Sequence, residues 1–191
     1  MSADLINVVL DLETLSSEPD AAIIQIGAAV PRFDMGHILG LPFEFEATIR
    51  YEDCLAAVDS HGRVQSHDTM LWWEKQPTRL EVFSGQDDYA EALEKFVDWI
   101  KSFKKPVAIW GNGAEFDNVV LLRSLDAFGF HDVWSFRNNR CFRTMKNLFP
   151  VEDQTLAIGP NETKHTGLGD ARYEARILDE IVKTYDIRSL L

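Results

Sequence analysis

A few side chains in this sequence have the types and spacing that chemistry requires. Asp11-Leu12-Glu13 carries two carboxylates at i and i+2, directly after the apolar run Ile6-Asn7-Val8-Val9-Leu10. On a strand, that spacing turns both acids to one face. Two like charges on a buried strand repel each other and are costly to desolvate unless a cation lies between them. Carboxylate oxygens are the ligands that hard divalent cations such as Mg2+ and Mn2+ prefer. Taken alone, the pair could equally be a strand end opening into solvent. Asp117 follows a Gly111-Asn112-Gly113 turn and Phe116, and should open a helix. An acid that favours the helix macrodipole would look the same. The turn also resembles the start of a dinucleotide-binding fingerprint, but Phe116 stands where the third glycine is required. His165 lies in a loop, Thr163-Lys164-His165-Thr166-Gly167, five residues before Asp170. Loop histidines are usually surface residues. One that can swing over a water held at cations is a good base, because imidazole exchanges protons near neutrality. Gly167 and Gly169, so close to His165, predict a loose loop around it.

Such residues need a scaffold. Ile6 to Leu10 reads as a central strand ending at Asp11. Ala22 to Val30 reads as a second strand, after a turn through Glu18-Pro19-Asp20. Phe43 to Ile49 alternates apolar and polar over its first half, as a half-exposed strand does. The period then changes. Tyr89, Leu93, Phe96, Ile100 and Phe103 recur at helical spacing. Val107-Ala108-Ile109-Trp110, after Pro106, is another buried strand. Phe116, Val119, Val120, Leu125 and Phe128 mark a second helix, and Ala171, Ala175, Leu178, Val182 and Tyr185 a third. Strands first, then helix and strand in alternation, predict an α/β fold with a mixed sheet flanked by helices. With 191 residues and no repeat or linker, the sequence predicts a single domain over residues 1–191.

Composition narrows the function classes. Hydrophobic residues are 46% and charged residues 26%, which suits a folded globular chain and excludes a disordered one. Cys54 and Cys141 are the two cysteines, too few for a disulfide framework or a zinc cluster. The start of the chain has no basic segment of a secretory signal, and no stretch approaches the roughly 20 apolar residues that cross a bilayer. The expectation is a soluble, cytoplasmic protein with no membrane partner. The net charge of −12 argues against broad, charge-driven binding to nucleic acid. Bound divalent cations would invert the local field. Arg137, Arg140, Arg143 and Lys146 form a local basic cluster that could meet phosphates or simply face solvent.

The order of these pieces is more specific than any one of them. Asp11-Leu12-Glu13-Thr14 resembles the first motif of the DnaQ-like DEDDh 3′–5′ exonucleases. Asn112-Gly113-Ala114-Glu115-Phe116-Asp117 is similar to their second, and His165-Thr166-Gly167-Leu168-Gly169-Asp170-Ala171 to their third. The resemblance covers nearly the whole chain. With the segment Thr69-Met70-Leu71-Trp72-Trp73, it points to the bacterial and phage group that includes phage exonuclease A and a mycobacterial exoribonuclease.

The resemblance implies an RNase H-like core, a five-stranded mixed sheet whose second strand is antiparallel. It implies two divalent cations, Mg2+ or Mn2+, and release of nucleoside 5′-monophosphates from the 3′ ends of single-stranded RNA or DNA. Cations about 3.5–4 Å apart can stabilise both the attacking and the leaving oxygen of a phosphodiester. By resemblance, Asp11 would bridge the two ions, Glu13 and Asp170 would complete the site of the attacking water, and Asp117 would hold the other ion. His165 would be the general base. Thr14 and Leu15 would meet the terminal sugar, and Asn112 and Phe116 the penultimate nucleotide. A homodimer is compatible with the resemblance. Trp72 or Trp73 could stack a base, although neighbours on a helix diverge and at least one should point into the core. A catalytically silent binding module on the same fold is the alternative. Such a module should have lost one of the four acids or the histidine, and all five are present.

Overall fold

A computed structural model describes residues 5–190. Its sheet has five strands: β1 (Ile6–Thr14), β2 (Ile23–Ala29), β3 (Glu44–Thr48), β4 (Val107–Gly111) and β5 (Asn139–Cys141). Their order across the sheet is β3-β2-β1-β4-β5. Strand β2 runs antiparallel to both of its neighbours, β1 and β3, whereas β4 is parallel to β1 and β5 to β4. The mixed sheet with an antiparallel second strand is the expected one. Among the described residues, eight α-helices accompany it: α1 (Arg32–Met35), α2 (Tyr51–His61), α3 (His67–Trp73), α4 (Arg79–Val82), α5 (Tyr89–Ser102), α6 (Asp117–Ala127), α7 (Phe142–Leu148) and α8 (Gly167–Tyr185).

The alternation along β1 divides the molecule into two layers. Ile6, Val8, Leu10 and Leu12 point to one face and join a core with Leu93, Phe96 and Ile100 of α5 and Leu121 and Leu125 of α6. Val9 points to the other face and packs with Phe142 of α7 and Ala171, Ala175 and Leu178 of α8. Asp11 and Glu13 share the parity of Val9, so they face the layer that α8 covers. Asp88 caps α5 by accepting hydrogen bonds from the amides of Ala90 and Glu91, which fixes where the helical period begins.

Strand β1 does not end at Asp11 as its sequence suggests; it continues to Thr14. Antiparallel pairing with β2 holds it there, with Asp11 opposite Gly27, Leu12 opposite Ile26 and Glu13 opposite Gln25. On the other side, β4 pairs with β1 only as far as Leu10 opposite Gly111. The last four residues of β1 are therefore flanked by a neighbour on one side alone, and the sheet opens at the acids.

Cys54 and Cys141 are free thiols. Among the described residues, no helix is long and apolar enough to cross a membrane.

Candidate active site

The gap left by β4 is filled by Asp117. Its Oδ1 accepts the Leu12 amide at 3.3 Å, the group that a longer β4 would have engaged. Asp117 stands at the first position of α6, and Gly111 makes room for it. A Cβ on Gly111 would lie 2.4 Å from Asn118 Oδ1 and 3.0 Å from Asp117 Cβ. Asn118 then ties α6 to the sheet by donating to the Ile109 carbonyl at 2.9 Å.

Asp170 arrives from the opposite layer. The start of α8 lies directly on β2, where Gly27 and Gly167 meet. The Gly167 amide also donates to Gln25 Oε1 at 2.7 Å, and Gln25 is held by Thr48 Oγ1 at 3.0 Å. One oxygen each from Asp11, Glu13 and Asp170 falls within 4.8 Å of the others. A single hard cation fits such a trio of oxygens.

The loop before α8 is folded back rather than loose. Both glycines serve close contact: Gly167 against Gly27, and Gly169 against the loop itself, where a Cβ would sit 2.1 Å from the Thr163 carbonyl oxygen. Thr166 Oγ1 donates to that same carbonyl at 2.8 Å. The His165 amide donates to Asp170 Oδ2 at 2.7 Å. His165 is exposed and adopts φ 60°, a left-handed conformation that costs a non-glycine residue energy. Its ring packs edge-on against Trp72, with centroids 5.2 Å apart.

The adjacent tryptophans divide as helix geometry requires. Trp73 is enclosed and donates its Nε1–H to the Thr14 carbonyl at 2.9 Å, anchoring α3 to the end of β1. Trp72 is 39% exposed and borders the acids' side of the molecule through His165.

The residues expected to meet a substrate lie in unequal positions. Thr14 is buried, and its hydroxyl donates to the Ser16 carbonyl at 2.7 Å. Leu15 is withdrawn altogether. Its side chain is fully enclosed in the core, its amide donates to the Ala22 carbonyl and its carbonyl accepts from Ser66. Phe116 is half-buried with its ring against the core. Asn112 is half-buried, and its side chain lies beside Glu174, where it favours the charged carboxylate.

Glu174 is the residue that sequence reasoning missed. It lies four residues after Asp170 on α8 and is only 2% exposed. The available signal was an acid on the helix face otherwise marked by Ala171, Ala175 and Leu178.

The electrostatics are those of acids crowded out of water. Burial, then the charges of Asp117, Glu174, Glu13 and Asp170, drive the Asp11 carboxyl well above its ordinary range. Burial and the charges of Asp170 and Asp117 push Glu13 up to about 8. Asp117 is pushed up to about 7 by burial, against the amides that bond it and the charge of Arg143. Burial raises Asp170 too, opposed by the His165 amide. The basic cluster is dispersed. Arg143 donates to the Asn112 carbonyl beside the acids, Lys146 lies over the Tyr173 ring, Arg137 over Phe136, and Arg140 bonds nearby carbonyls.

A family model described as the 3′–5′ exoribonuclease Rv2179c-like domain matches residues 6–182. No curated protein matches the sequence. Solved structures do. E. coli exonuclease I in complex with a dT13 oligonucleotide aligns with a TM-score of 0.61 at 12% identity, over 98% of this chain and 43% of that one. Exonuclease I from Methylocaldum szegediense aligns with a TM-score of 0.61 at 11% identity, over 96% and 41%. The chain thus spans about two-fifths of the length of these exonucleases. At such identity the likeness is one of fold, and the fold is RNase H-like.

Proposed function

Because the chain belongs to the family of Rv2179c-like 3′–5′ exoribonuclease domains, we propose that it removes nucleoside 5′-monophosphates from the 3′ end of single-stranded nucleic acid. The reaction takes place at Asp11, Glu13, Asp117 and Asp170. The observation that carries this reading is the approach of Asp11, Glu13 and Asp170 to within 4.8 Å of one another, from two separate elements, in a half-buried setting. A fold gains nothing by bringing like charges together out of water unless a cation joins them.

The donors are all carboxylate oxygens, which suits Mg2+ or Mn2+. Asp11, Glu13 and Asp170 would hold one ion, and Asp11 and Asp117 a second. Bound there, the ions would offset the charge of the phosphodiester and of the attacking and leaving oxygens.

The protein's own side chains do the rest. His165 takes the proton of the attacking water at a ring nitrogen, as a general base. Its backbone amide bonds Asp170 and its ring packs edge-on against Trp72, which keeps the base in the loop beside one of the acids. The exposed face of Trp72 is placed to stack a terminal base, a contact that tolerates any base. Thr14, Asn112 and Phe116 line the approach from the sheet side, and Arg143 offers a positive charge to an incoming phosphate.

The family description favours RNA. The test is incubation of the purified protein with 5′-labelled single-stranded RNA and DNA, with Mn2+, with Mg2+ and with chelator. A ladder shortening from the 3′ end, dependent on the cation and stronger on RNA, is expected. Intact substrates in every cation would return the chain to the silent binding module.

A further inference from the structure

We infer that Glu174 is a fifth carboxylate of the cation site, and that its open oxygen serves the cation beside Asp117. The inference rests on the cation-dependent reading above and extends it to a residue outside the three motifs.

The argument begins with an unmet group. Glu174 is 2% exposed, and its Oε2 has no hydrogen-bond partner. A buried polar atom left unpaired is costly, and a charged one more so. Glu174 follows Asp170 by four residues, so both project from the same face of α8. That face looks onto β1 and β2. The charges of Asp117 and Asp170 act on Glu174, and its own charge acts on Asp11. The unpaired oxygen is thus enclosed on the side of α8 that carries Asp170, whose own oxygen belongs to the acidic cluster. The cation of this chain that acts on Glu174 is Lys146, whose ammonium is engaged over the Tyr173 ring, 5.8 Å from its centroid.

A purely structural role is insufficient. The polar neighbour of Glu174 is the Asn112 side chain, a neutral amide in the turn that leads to Asp117. Holding an amide needs one acceptor and no charge, and glutamine would supply it. The second oxygen and the negative charge are explained by a cation between Glu174 and Asp117.

Glutamine separates the two roles, since it keeps the acceptor and removes the charge. Calorimetric titration of the full chain with Mn2+, without nucleic acid, is the measurement. The wild type is expected to bind two ions. Glu174→Gln is expected to keep one at wild-type affinity and to bind the other at least about 10-fold more weakly. Two ions at unchanged affinity in the variant would overturn the inference and leave the exonuclease reading standing. No Mn2+ bound by the wild type would overturn both. If Glu174→Gln fails to fold, Glu174→Asp, which retains the charge but draws it back by a methylene, should weaken the same single site. An unweakened site would again refute the role.

Discussion

Gly27 and Gly167 touch backbone to backbone: a Cβ built on Gly27 would fall 1.9 Å from the carbonyl carbon of Gly167. Gly27 is also the register partner of Asp11. The closeness of α8 to β2 therefore sets how near Asp170 comes to Asp11. Gly27→Ala cannot be accommodated by rotating a side chain, because the obstacle is backbone. Overpacking of this kind typically costs about 1–3 kcal/mol. The variant should melt at lower temperature and lose Mn2+ affinity together. Unchanged melting and affinity would show that α8 can stand further from the sheet at no cost.

Asp11→Asn removes one charge from a crowded group of acids. Without cations the variant should melt at higher temperature than the wild type, since burial and mutual repulsion raise the Asp11 carboxyl. It should also lose nuclease activity. A variant that melts lower, or that still cleaves, would argue against Asp11 as a cation ligand.

The cation-free protein should lose stability as pH rises. Glu13 is held at about 8 and Asp117 at about 7, both above their values in an unfolded chain. Groups raised in this way favour the folded state when protonated. Their contribution is complete below the ordinary carboxylate range and disappears as pH climbs through about 7 to 8. Calorimetric melting in chelator should therefore give a lower Tm at about pH 8.5 than at about pH 5.5. Added Mn2+ should raise Tm more at the higher pH. Equal Tm values in chelator would contradict the repulsive arrangement.

His165→Ala should reduce kcat by about 10²- to 10⁴-fold, the usual worth of a general base, while Mn2+ binding stays within about twofold. Full turnover in this variant would move the base elsewhere.

Trp72 and Trp73 should respond oppositely to truncation. Trp73 is 1% exposed and bonded to Thr14, so Trp73→Ala should cost about 3–5 kcal/mol of stability. Trp72→Ala should leave the fold nearly as stable but weaken oligonucleotide binding by about 1–3 kcal/mol. Binding by fluorescence-free methods such as filter retention, set beside thermal melts, separates the two. Equal affinity of Trp72→Ala and the wild type would remove the stacking role.

Much of this was legible in the sequence, for physical reasons. The long apolar segments, β1, β2, β4, α5 and α8, announced themselves by period, since each buries a whole face. Asp11 and Glu13 could be assigned to one side of a strand from spacing alone. The three-residue β5 could not be read, because Asn139-Arg140-Cys141 has too little length to show an alternation. The true end of β1 was hidden too, since it depends on where β4 stops. The glycines near His165 misled for a related reason. Glycine in a sequence signals freedom, and only the approach of Gly27 and Thr163 shows that here it signals contact. Glu174 looked like an ordinary helix acid until the partner across the interface was known.

The placement of Trp72 gives this molecule an intrinsic optical reporter. Trp73, Trp99, Trp110 and Trp134 are 8% exposed or less, so their emission belongs to an apolar interior. Trp72 is the single water-facing indole, and it touches the imidazole of His165. A water-facing indole emits at longer wavelength than enclosed ones, so the red side of the emission spectrum is weighted toward that one ring. A nucleobase that stacks on Trp72 should quench this emission, so occupancy of the site can be followed in real time with unlabelled protein and unlabelled nucleic acid.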